Sequence, residues 1–258
     1  MEPLLTDTHC HLDAPPLRGR LDEVLASARH AGVDRIIVPG VAPEGWDEIA
    51  LLPHRYSRVS AAFGIHPMYA DRADEQTLAR LAELARDAVA VGEIGLDYLC
   101  AVPRPVQQAA FRAQLRVAVE AGAPVLIHCR RAFTDLLAIL REEHISRIGG
   151  VMHAFSGSAE IMAECLKLGL HIAVSGVVTR PNAVRPLEIA RIIPADRLLL
   201  ETDAPDMTPS SRHGCPNEPA FLTETAQRVA ELRGTTIREL AAQTTRNALW
   251  LFRRIDTI

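Results

Sequence analysis

Six side chains of the kinds that bind metal close five separate apolar runs in this 258-residue chain. The runs extend from Leu4 to His11, Val89 to Glu93, Val125 to His128, Val151 to His153 and Leu198 to Asp203. The six residues are His9, His11, Glu93, His128, His153 and Asp203. A buried strand gains nothing hydrophobic by ending on histidine, glutamate or aspartate. If the strands are parallel neighbours, their C-terminal ends converge, and four imidazoles and two carboxylates meet there. Mixed imidazole and carboxylate donors suit zinc, manganese, nickel or cobalt, and magnesium is compatible.

A single ion that keeps a catalytic position open rarely takes six protein ligands, so two divalent ions are expected. Glu93 could bridge them through its two oxygens. His9, His11 and Asp203 would complete one ion, His128 and His153 the other. Two ions roughly 3.5–4 Å apart clamp a hydroxide and the oxygens of a displaced phosphate ester, and metal lowers a water pKa from ~15.7 toward ~7. Asp203 is the best placed acid–base group. Strand side chains alternate, so His9 and His11 share a face while Cys10 points away. Asp7 has the same parity one step deeper and could orient a histidine from behind; Glu201 and Asp203 repeat the pattern on the last strand. The chain has a single lysine, Lys167, in an expected helix away from the strand ends. A carboxylated lysine bridge is therefore excluded, and glutamate must do that work.

The elements that would position these groups read as eight strands alternating with helices. Arg35 to Pro39, Val59 to His66 and Leu170 to Ser175 join the five runs above as short buried strands. Helices are expected over Leu21 to Ala31, Gln76 to Ala88 and Phe111 to Ala121, the first and last stopped by Gly32 and Gly122. Strict alternation favours a parallel sheet, and eight units close into a (β/α)₈ barrel, with the active site at the C-terminal strand ends. No G-x-G-x-x-G turn follows the first strand, which argues against a dinucleotide-binding open sheet. The loops Tyr69 to Asp74, Leu99 to Val106, Thr179 to Pro186 and Ala204 to Pro216 are expected to wall the site. No linker or low-complexity segment interrupts residues 1–258, so a single domain is expected.

Composition bounds the partners. A net charge of −4 lacks the basic stripe of a DNA-coating protein. Five cysteines without a C-x-x-C pair suit a reducing cytoplasm. No signal peptide or membrane-spanning run is read, and no obligate protein partner is evident.

The segments Asp7-Thr8-His9-Cys10-His11, Gly64-Ile65-His66-Pro67, Gly92-Glu93-Ile94-Gly95-Leu96-Asp97-Tyr98, Ile127-His128-Cys129-Arg130, His153-Ala154-Phe155-Ser156-Gly157 and Glu201-Thr202-Asp203-Ala204-Pro205 resemble, in order and spacing, the signature of the TatD-type metal-dependent deoxyribonucleases. Asn217-Glu218-Pro219 extends the match toward the end of the chain. The resemblance implies a (β/α)₈ barrel, a divalent-metal hydrolase and nuclease activity on DNA. Carried over by position, it makes His9, His11, Glu93, His128, His153 and Asp203 the metal ligands. All six are intact.

Around the ligands, Arg130 shares parity with His128, and its planar fork suits phosphate oxygens. His66 either shapes the turn before Pro67 or donates to a substrate phosphate. Arg180 follows the seventh strand, where barrels often bind phosphate. His30, His54, His144, His171 and His213 lie outside the pattern and are expected to be surface or incidental residues. The leading expectation is a phosphodiesterase that trims DNA ends, or single strands, with a hydroxide held on metal. An amidohydrolase opening a cyclic amide, lactone or small ester is the alternative, and a non-catalytic metal-binding barrel the third.

Overall fold

A computed structural model of the chain describes residues 4–255. Its strands are β1 (Leu5–Asp7), β2 (Val33–Pro39), β3 (Val59–Phe63), β4 (Ala90–Asp97), β5 (Val125–Arg130), β6 (Gly150–Met152), β7 (Leu170–Val174) and β8 (Leu198–Leu200). The helices are α1 (Pro15–Arg18), α2 (Leu21–His30), α3 (Trp46–Arg55), α4 (Glu75–Leu84), α5 (Arg104–Ala121), α6 (Phe133–Glu142), α7 (Ala159–Lys167), α8 (Val184–Ile192), α9 (Leu222–Arg233) and α10 (Ile237–Leu251). The eight strands form one sheet in chain order, and every described pairing is parallel. With β8 bonded to β1, this is the (β/α)₈ barrel expected from the alternation. Among the described residues no helix is long and apolar enough to cross a membrane.

The chain gathers into two compact units, one running to Val38 and adding Ala154–Ser158 and Ile172–Trp250, the other comprising Pro39–His153, Ala159–His171 and the chain from Leu251. The first carries the strand order β7–β8–β1–β2. Its central seam is β8 against β1, where Thr8 N–H donates to Leu200 O (3.1 Å), Asp203 N–H to His9 O (2.9 Å) and His11 N–H to Ala204 O (2.8 Å). Cys10 and Ala204 extend the seam as an isolated parallel bridge. The second carries β3–β4–β5–β6. Every residue of β4 is buried, as expected of a parallel strand covered on both faces. Two of its buried residues, Glu93 and Asp97, are acids.

Outside the strands, amphipathic helices turn one stripe inward. α2 buries Leu21, Val24, Leu25 and Ala28, and α6 buries Leu136, Leu137, Ile139 and Leu140. Late in the chain, Arg254 donates to the carbonyls of Ala85 (2.9 Å), Ala88 (3.2 Å) and Ala121 (3.0 Å), tying together the segments that leave α4 and α5. Next to it, the Ser60 hydroxyl donates to Ile255 O (3.3 Å).

Four local expectations are corrected. The ladders of β1 and β8 stop at Asp7 and Leu200, so His9, His11, Glu201 and Asp203 lie just beyond the strands. α5 starts at Arg104 rather than Phe111, because Pro105 in its first turn gives up no helical hydrogen bond, and this shortens the loop expected over Leu99 to Val106. The segment Pro67–Arg72 is a 3₁₀ turn and α8 begins at Val184, so neither neighbouring wall is a plain loop. His171 is fully buried in β7 rather than at the surface.

Candidate metal centre

In the first unit, the segments leaving β1 and β8 carry His9, His11 and Asp203. The Nε2 atoms of His9 and His11 are 3.3 Å apart, as their shared parity requires. Asp203 Oδ1 lies 3.5 Å from His11 Nε2 and 3.8 Å from His9 Nε2. Donors about 2.0–2.2 Å from a tetrahedral cation are themselves roughly 3.4 Å apart, so these three atoms already have the spacing of a half-built ligand shell. Cys10, between His9 and His11 in the chain, is fully buried.

The backbone beneath this trio is organised by Asp7. Its Oδ1 accepts the N–H groups of His9 (3.3 Å) and Thr202 (2.9 Å), and its Oδ2 accepts the Thr202 hydroxyl (2.6 Å). Asp7 thus fixes His9 through its main chain rather than through the ring. Complete burial raises the Asp7 carboxyl to about 7, against the pull of those hydrogen bonds. Asn217 Nδ2 donates to Thr202 O (2.9 Å) and Asp206 O (2.7 Å), which fixes the far side of the same turn. Asp203 itself holds a left-handed backbone, φ 57°, an uncommon state for a residue with a Cβ that its tie to His9 O sustains. Glu201 is fully buried, and its Oε1 accepts the N–H of Ala154, the residue after His153, at 2.6 Å.

In the second unit, Glu93 is the hub. Its Oε1 lies 2.9 Å from His128 Nδ1, and 3.8 Å from both His66 Nε2 and His153 Nε2. The His66 and His128 rings meet edge to face with centroids 4.4 Å apart. Three imidazoles surround one buried carboxylate oxygen, and the nearest ring or carboxylate atoms of Glu93, His66 and His128 all lie within 4.8 Å of one another. Glycines make the approach of β4 to β5 possible. A Cβ on Gly92 would lie 2.4 Å from Leu126 Cβ, and one on Gly95 would lie 1.9 Å from His128 O.

His66 differs from the other imidazoles. Its Nδ1 accepts the Met68 N–H at 3.2 Å, so in the neutral ring Nε2 carries the proton and acts as a donor. Asp97 was not singled out from sequence as a site residue, yet it belongs to this cluster. Its Oδ2 is 3.4 Å from His128 Nε2, and its Oδ1 accepts the Leu99 N–H at 2.8 Å. The adjacent His128 imidazole, opposed by burial and assisted by Leu99 N–H and the charge of Arg130, holds Asp97 below the usual carboxylate range. Burial opposes a charge on His128, but its bonds to Asp97 and Glu93 outweigh that and raise the imidazole to about 9. The signal for Asp97 was available: it shares strand parity with Glu93 on β4.

The expected phosphate ligands stand farther out. Arg130 ends β5, exposed, in register with Asp97. Arg180 is exposed after a 3₁₀ turn, whereas its neighbour Thr179 donates to Gly176 O (2.7 Å) and accepts from Ser210 N–H (2.8 Å). That second bond helps pin the Ala204 to Pro216 segment, as does the Ser211 and Arg212 attachment to Glu224. Lys167 is exposed and paired with Glu164.

A family model described as TatD related DNase matches residues 6–253. The chain is 40% identical over 253 residues to the uncharacterized metal-dependent hydrolase YabD of Bacillus subtilis strain 168, covering 97% of this chain and 99% of that protein. It is 39% identical over 240 residues to the 3'-5' ssDNA/RNA exonuclease TatD of Erwinia amylovora, covering 90% and 93% of the two chains. The crystal structure of YjjV, a TatD homologue from Escherichia coli K12, superposes with a TM-score of 0.93 at 35% identity, covering 98% of this chain and 99% of that one.

Proposed function

Since the chain belongs to the TatD-related DNase family of metal-dependent hydrolases, we propose that it hydrolyses phosphodiester bonds of DNA, trimming exposed ends and preferring single strands. The observation that carries this reading is the pair of donor clusters, His9, His11 and Asp203 within 3.3–3.8 Å of one another, and His128 and His153 at 2.9 and 3.8 Å from Glu93. The name of the Erwinia relative supports the choice of nucleic acid and of end trimming.

In this reading two divalent ions would be held by His9, His11, Glu93, His128, His153 and Asp203. When bound, they supply Lewis acidity and a more acidic water. Asp203 accepts the proton of the attacking water. His66 donates its Nε2 proton to a phosphate oxygen, and the Arg130 and Arg180 guanidinium groups offset the remaining phosphate charge. Asp7 and Glu201 hold the turns that carry the reacting groups. Residues 1–258 act as one domain without an obligate partner. The five free thiols and the absence of a C-x-x-C pair support work in a reducing cytoplasm.

End-labelled single strands, blunt duplexes and covalently closed single-stranded circles test the proposal with each candidate metal. Linear single strands should be degraded fastest and closed circles should persist. Rapid cutting of circles would reject end trimming. Turnover of a cyclic amide or small ester, with every DNA left intact, would replace the phosphodiesterase by an amidohydrolase.

A further inference from the structure

Two large hydrophobic side chains beside the Glu93 cluster are left in solvent. Met68 is 48% exposed and Leu99 is 58% exposed. Each follows a cluster residue by two positions and is bonded back to it through its own backbone. Met68 N–H donates to the His66 ring at 3.2 Å, and Leu99 N–H donates to the Asp97 carboxylate at 2.8 Å. His66 and Asp97 in turn both meet His128. The apolar pair is therefore anchored at the margin of the cluster rather than carried on wandering loops. Behind it, Gln107 grips the β4–α5 turn by accepting from Asp97 N–H (2.8 Å) and donating to Asp97 O (2.8 Å) and Val102 O (2.8 Å).

The surroundings are cationic and aromatic. The Arg104 guanidinium lies 4.4 Å over the Tyr98 ring, whose hydroxyl donates to Asp135 Oδ2 (2.5 Å) and accepts from Gln108 Nε2 (2.7 Å). Arg130 and Arg131 are exposed at the end of β5. Exposed apolar side chains on the two turns that hold His66 and Asp97, with exposed arginines at the end of the neighbouring β5, suit one ligand chemistry: a flat, weakly polar ring carried on an anionic backbone.

We propose that Met68 and Leu99 hold the unpaired nucleobase next to the scissile phosphate, making this margin a base-binding subsite for single-stranded ends. The inference rests on the phosphodiesterase reading above. A paired base has its faces covered by its neighbours in the stack, so the subsite selects splayed ends by the apolar area it can cover. Contacts of this kind tolerate any base, because the flat face of every base is weakly polar.

The test uses metal-loaded protein and two single strands that differ only at the terminal nucleotide, one intact and one abasic. The wild type should show a KM roughly tenfold higher for the abasic strand, the scale of one base contact. Combining Met68→Ser with Leu99→Ser should raise KM for the intact strand to the abasic value and leave the abasic KM unmoved. A terminal 2-aminopurine should change its fluorescence on binding the wild type and not on binding the double variant. Equal KM values for both strands in the wild type would overturn the subsite while leaving a phosphodiesterase, and that comparison needs no variant. A double variant that weakens both strands equally would overturn it too. A wild type that cuts neither strand would remove the phosphodiesterase reading and this inference with it.

Discussion

At the scale of single residues, Asp203 joins two burdens: a left-handed backbone and a carboxylate facing two imidazoles. Asparagine tolerates that backbone well, so Asp203→Asn should fold normally while losing metal affinity and the proton acceptor. Turnover should fall by at least ~10²–10⁴, the usual worth of acid–base assistance, in kinetics at saturating metal. An unchanged kcat would remove Asp203 from the chemistry. Glu93→Gln should weaken both ions together and His153→Ala chiefly one, read as stoichiometry by titration calorimetry; a single wild-type site indifferent to Glu93→Gln would refute the bridge. Alternation made the His9–His11 pairing legible, because side-chain direction persists past the ladder. Asp97 was passed over because a strand expected to stop at Glu93 runs on to Asp97. The left-handed state of Asp203 had no local signal, since it comes from contacts with the segment leaving β1.

At the scale of elements, all eight strands were legible as apolar runs, because parallel strands covered on both faces cannot hide their composition. Helix ends were less so. Gly122 stops α5 in the left-handed state expected of it, φ 62°, but the start at Arg104 was masked by two prolines that read as loop. α10 shows how much a terminus can rest on local chemistry. Thr236 N–H donates to Glu239 Oε2 (3.0 Å) and Glu239 N–H donates to Thr236 Oγ1 (3.2 Å), a reciprocal capping box. Thr236→Ala should cost about 1 kcal/mol in denaturant unfolding. The bond from Thr236 N–H, with those from the Thr235 and Thr236 hydroxyls, lowers the Glu239 carboxyl from 4.5 to about 2. A depressed carboxyl stabilises the fold above its unfolded value and loses that contribution as pH falls from about 4.5 toward 2. Glu239→Gln should therefore flatten that part of the melting-temperature profile; an unaltered acid limb would show that the cap does not couple to global unfolding.

At the scale of the whole molecule, donors gathered by the fold would bind an ion in the folded chain and not in the unfolded one. Metal at 100 times its Kd should then add about 2.7 kcal/mol of stability, and chelator should remove it. Calorimetric melting with and without chelator reads this directly, and identical melting temperatures would mean that no ion is bound in the folded state. Chain order was the most legible large-scale feature, since alternating strands and helices permit few parallel topologies. The gathering of contacts into two units was not legible, because it depends on which distant segments touch. The Arg254 clamp also imposes a timetable on synthesis. β3 to β6 are complete once residue 152 has been polymerised, but the guanidinium that ties down Ala85, Ala88 and Ala121 does not yet exist. A growing chain must carry these carbonyls uncapped through the making of β7, β8, α9 and α10. Ribosome-bound chains stalled before residue 254 should accordingly be cut by protease around residues 85–121, and chains stalled well after it should resist.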